Sequence, residues 1–110
     1  MSVAAEVAYV RELGRLTEQD MARATGTGRS TVGAWLRGTR HPTGVRLERF
    51  AELSALVERL ARVVEPEYLS IWLHKPIPAL ADDTPLDVLA RGDYRRVSAL
   101  VAELEFPVAS

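Results

Sequence analysis

The chain has 110 residues, 47% of them apolar and 26% charged, with a net charge of −1; this suits one ordinary globular domain, or two very small ones sharing a core, and excludes a disordered chain. With no cysteine, a disulfide framework and a thiolate metal site are both excluded, as suits a reducing cytosol. No stretch nears the roughly 18 apolar residues of a membrane span and the N-terminus has no basic region before an apolar core, so a cytoplasmic protein with no membrane partner is expected.

Val3, Val7, Val10 and Leu13 recur at three and four residues, which predicts a first amphipathic helix ended by Gly14 as a C-cap. Thr17 starts a second helix, with Asp20 three residues on as an acidic capping box. Ala22 is small where two helices cross, Gly26 supplies the positive φ of a tight turn, and Val32 and Trp35 return to the core from a third helix. That helix runs from Arg29 or Ser30 to Arg37, and Gly38 stops it. The result is the layout of a DNA-binding helix-turn-helix, although the same spacings occur in helical cores that never meet nucleic acid. Charge favours DNA: from Met21 to Leu47 there are Arg23, Arg29, Arg37, Arg40 and Arg46 and no acid.

In such a motif the first residues of the third helix reach base edges. Arg29 is the first choice for a bidentate pair with guanine, with Ser30 and Thr31 as phosphate or base contacts. Arg37, Arg40 and His41 suit the backbone, and Thr17 and Thr27 place a hydroxyl and an amide at phosphates near helix N-termini. One recognition helix binds modestly, so a homodimer on a two-part operator is expected.

Residues 38–44 form a loop before a long helix, 45–64, whose apolar stripe holds Phe50, Leu53, Leu56, Val57, Leu60, Ala61 and Val64, with Glu58 and Arg62 as a supporting ion pair. Pro66 breaks it, and a short helix from Glu67 to Leu73 carries Tyr68, Ile71 and Trp72. Tyr68, Trp72 and Tyr94 read most simply as core, although Trp and Tyr are also enriched at binding hot spots. The two prolines of HKPIPALADD demand an extended or turn-like path. Thr84 as N-cap, Pro85 at N1 and Asp87 at N3 start another helix, and Gly92-Asp93 restarts the chain into a last one, Tyr94–Leu104. With no strand and no repeat the fold class is all-α. The chain divides into residues 1–64, a helix-turn-helix region with its connecting helix, and 65–110. The first part holds ten arginines against seven acids and the second four cations against eight acids, so the two probe different partners.

Trp72-Leu73, then Pro76-Ile77-Pro78, then Pro85-Leu86-Asp87-Val88-Leu89, then Val97 with Leu100 occur in the order of the toxin-binding domain in the Xre/MbcA/ParS antitoxin family. The chain resembles that family along its whole length, since its members carry an Xre-like helix-turn-helix ahead of this domain. The resemblance implies an Xre-like bundle joined by the long helix to a small helical toxin-binding domain. It also implies a RES-domain toxin as partner, which consumes NAD as its own substrate, and repression of the shared operon. The candidate toxin contacts are Trp72, Pro76, Pro78, Leu86, Asp87, Tyr94 and the terminal run Glu105, Phe106, Pro107, Val108, Ala109 and Ser110. Family members cover the toxin's active-site entrance with their C-terminal region, and this apolar end with its free carboxylate suits that role. The acidic balance of residues 65–110 complements a basic dinucleotide site.

An enzyme fares badly: His41 and His74 lie in separate loops and no metal-ligand spacing exists, so neither catalysis nor a cofactor is expected. The alternative to an antitoxin is a stand-alone dimeric Xre-type repressor whose second half only holds another copy of itself.

Overall fold

The computed structural model describes residues 2–108. Its elements are α1 (Val3–Gly14), α2 (Glu18–Thr25), α3 (Arg29–Arg37), α4 (Gly44–Val63), α5 (Pro66–Leu73), a 3-10 turn (Pro78–Leu80), α6 (Pro85–Ala90) and α7 (Tyr94–Glu105), with no strand among the described residues. The fold is all-α, with a helix-turn-helix at its N-terminal end.

Local chemistry accounts for most boundaries. Thr17 Oγ1 accepts from the Asp20 amide while the Asp20 carboxylate accepts from the Thr17 amide, both at 3.0 Å, so α2 opens on a full capping box. Gly26 ends α2 at φ +75°, a conformation that costs glycine nothing. The second capping box, Thr84 with Asp87, opens α6 behind Pro85.

Two local expectations are corrected. Gly14 is still helical, and Arg15 takes the left-handed C-cap at φ 50°. Glycine is needed at 14 for closeness: a Cβ there would stand 3.0 Å from Leu16 and 3.4 Å from Val57. The Pro76-Ile77-Pro78 stretch is extended at Ile77 and then turn-like, as its prolines require: Pro78 starts a 3-10 turn whose end is turned by Ala81 and Asp82, both at positive φ. Glu58 does not pair with Arg62 among the described ion pairs; the neighbouring Arg59 reaches across to α7 instead. Its Nε and Nη2 donate to Glu105 Oε1 at 3.0 and 2.6 Å, and its Nη1 to Ser98 Oγ at 2.8 Å. A guanidinium offering several donors in one plane outcompetes a flexible pair along the helix.

The apolar core is one continuous cluster, from Val7 and Val10 through Met21, Trp35 and Leu53 to Leu86, Val97 and Val101. α2 packs against α3, α4 and α6, while α4 packs against both α1 and α7. Ala22, 1% exposed, is the small residue that lets these helices approach.

Candidate nucleic-acid and partner interfaces

Gly28 caps α3 without a side-chain hydrogen bond, so its first amides point outward unclaimed by any cap. Arg29 and Ser30 are exposed at that end, and Thr31 is half-buried. Gly33 follows in the helix interior, where glycine costs about 1 kcal/mol relative to alanine. A Cβ there would meet the Arg37 guanidinium at 3.1 Å, so the bare backbone makes room for the arginine to lie along the helix.

Three surface depressions surround α3. One is lined by Arg11, Thr17, Gln19 and Arg29 with Glu18, a second by Glu18, Arg29, Ser30, Gly33 and Arg37. The third is a small polar cup of Thr27, Thr31, Arg40, His41, Thr43 and Arg46 over the edge of Trp35. The candidate DNA residues Thr17, Thr27, Arg29, Ser30, Thr31, Arg37, Arg40 and His41 therefore all line one or another of these hollows. Arg11 joins them from α1 without having been singled out in the sequence, and Arg46, counted there only in the arginine run, joins them from α4. Arg11, Arg29, Arg37, Arg40 and Arg46 take part in none of the ion pairs among the described residues. Glu18 is the one carboxylate in the three linings. Arg23 differs from the other arginines of the run, since its Nη2 donates to Asp87 Oδ1 at 2.5 Å and turns away from this face.

The C-terminal candidates scatter by burial. Trp72 and Leu86 are in the core and Tyr94 is packed against it, whereas Pro76 and Pro78 are exposed. Asp87 caps α6 and holds Arg23; the hydrogen bonds from Arg23 and from the Thr84 amide lower its carboxyl to about 2. Glu105 is held by Arg59, which also lowers it. Phe106 and Val108 are 77% and 92% exposed, and Pro107 is exposed with them. Ala109 and Ser110 lie outside the described residues. Tyr68 corrects the reading of a core aromatic: α5 buries Leu69, Trp72 and Leu73, and Tyr68 and Ile71 face out at 42% and 58% exposure. Elsewhere, α1 and α4 border an apolar groove of about 390 Å³ lined by Tyr9, Leu47, Phe50, Ala51 and Ala55, with Glu6 and Glu58 at its edges.

No group of three or more His, Asp or Glu side chains among the described residues is placed to hold a metal ion. Among the described residues no helix is long and apolar enough to cross a membrane.

Residues 7–53 match the helix-turn-helix family model. The chain is 27% identical over 92 residues to the Mycobacterial cidal antitoxin MbcA of Mycobacterium bovis and of Mycobacterium tuberculosis, covering 84% of this chain and 80% of those proteins. It also superposes on a chain in the crystal structure of the M. tuberculosis MbcT-MbcA toxin-antitoxin complex, with a TM-score of 0.84 and 24% identity, over 100% of this chain and 99% of that one. This last likeness is one of fold.

Proposed function

We propose that the chain is an antitoxin. It binds and inhibits a RES-domain toxin that consumes NAD, and its cationic α3 face represses the operon encoding the pair. What carries this is a similarity to an antitoxin that runs through both the helix-turn-helix and the C-terminal helices. The acidic C-terminal half and the exposed Phe106-Pro107-Val108 run supply the toxin-facing surface. Residues 1–64 serve the operator and 65–110 the toxin, while the cytoplasm is the compartment in which both partners are met. A homodimer gives the two recognition helices that a two-part operator requires.

The test is co-expression with a RES-domain protein, followed by co-purification and an assay of NAD consumption. The full chain is compared with one ending at Glu105, because Glu105 itself anchors α7 to Arg59. A stable complex whose NAD consumption is suppressed by the full chain and restored by the shortened one supports both the antitoxin and the tail as its plug. A chain that binds its operator and itself but no such protein is a stand-alone repressor.

A further inference from the structure

Asp20 and Asp87 hold equivalent posts on either side of the chain's midpoint, each being the N3 acid of a capping box. Each also takes a bond from the other half of the molecule. His74, just past α5, places Nε2 3.0 Å from Asp20 Oδ2, and Arg23 of α2 donates to Asp87 Oδ1 of α6. Arg23 lies three residues after Asp20, one turn along the same helix, so four side chains tie α2 to the end of α5 and the start of α6.

His74 is the member whose charge changes near neutral pH. Both its ring nitrogens face acceptors: Nδ1 lies 2.8 Å from the Ser70 carbonyl oxygen and Nε2 faces the Asp20 carboxylate. A neutral imidazole has one N–H, so it donates to one of these and sets a lone pair against the other; only the doubly protonated ring donates to both. We propose that Asp20, Arg23, His74 and Asp87 form a proton-operated latch between the helix-turn-helix and the C-terminal helices, closed while His74 carries both ring protons and loosened when it loses one and can no longer donate to both Ser70 and Asp20.

The surrounding charges agree. Burial disfavours the imidazolium, and so does Arg23, but the Ser70 carbonyl and the Asp20 carboxylate outweigh them and hold His74 above the ordinary histidine value. From α6, Asp87 is occupied by Arg23; from α5, Glu67 is engaged by Arg15 at 3.6 Å; Lys75 follows His74 in the chain. A raised value in the folded chain means stability fully present below the unfolded value of about 6.5 and lost as pH rises through the folded one.

The test uses the full chain alone, so its outcome is independent of which DNA or protein the chain binds. His74 ring signals are followed by NMR from about pH 5 to about pH 9. Thermal midpoints are compared for the unmodified chain and His74→Gln, which keeps a donor but cannot charge. The latch requires that His74 titrate above free histidine. It also requires that the unmodified chain melt about 2–4 °C higher than His74→Gln at the acid end, the gap closing as pH rises. A His74 that titrates at or below the free value overturns it, as do two midpoint curves that run parallel. If His74→Gln does not fold, the titration of the unmodified chain decides alone.

Discussion

Asp87 shows how one side chain can serve two structures at once. It closes the α6 capping box and receives Arg23 from α2, and the two roles together depress its carboxyl from 3.8 to about 2. A depressed acid contributes stability that is present above its unfolded value and lost as pH falls through the folded one. The unmodified chain should therefore melt above Asp87→Asn at neutral pH, and the two midpoints should converge between pH 3.8 and about 2. Parallel curves would place the stabilisation elsewhere. Thr84→Ala removes the other half of the box and should cost about 1 kcal/mol in urea unfolding. On the DNA side, Arg11 and Arg46 are distinguished from Arg29 by what each loss would do. Replacing Arg11 or Arg46 with alanine should weaken all sequences alike and lower the salt slope of binding by about 1, whereas Arg29→Ala should blunt the preference among operator variants. A salt slope untouched by Arg46→Ala would remove that cup from the DNA surface.

Helix boundaries were legible where a residue's own neighbours decide them. Thr17 with Asp20, Thr84 behind Pro85, and Gly26 all carry their reason within four residues of sequence, and each stands in the structure as read. What escaped the sequence is set across space. Gly14 looked like a stop signal because nothing nearby reveals that Val57 will pack onto it. Nothing near Arg59 in the sequence marks it; its role is set only where α7 brings Ser98 and Glu105 within reach. Arg11 is missed for the same reason, and Arg46 is legible only as a charge in the arginine run; they lie 18 and 17 residues from Arg29 in the chain yet open onto hollows beside α3. The α2–α6 contact is the most consequential of these, because it sets the first helix of the helix-turn-helix directly on the C-terminal half. Two substitutions test it by opposite means. Leu86→Ala opens a cavity on the α6 side and should cost about 2–5 kcal/mol. Ala22→Leu overfills the crossing and should cost about 1–3 kcal/mol. An unfolding free energy unchanged in both would mean that the two helices do not depend on each other.

At the scale of the whole molecule, the question is whether the two halves are two folding units. Composition divides them, with opposite net charge on either side of residue 64, but packing does not. The buried cluster runs unbroken from Val7 to Val101, α4 lends one side to α1 and another to α7, and α2 is covered by α6. A piece ending at residue 64 would lose the partners of both α2 and α4, and a chain of about 60 residues has little apolar burial to spare. The two tryptophans are placed to decide this, since Trp35 is buried in α3 and Trp72 in α5. Trp35→Phe leaves a reporter only in the second half, and Trp72→Phe only in the first. Because each change destabilises in its own way, each variant's fluorescence in urea is compared with its own far-ultraviolet helical signal. A single cooperative unit requires the two curves to coincide within each variant. If fluorescence and helix signals separate in either one, the halves unfold independently. Coincidence would mean that a protein seated on α5–α7 and a duplex seated on α3 act on one folding equilibrium, each stabilising the same native state by mass action.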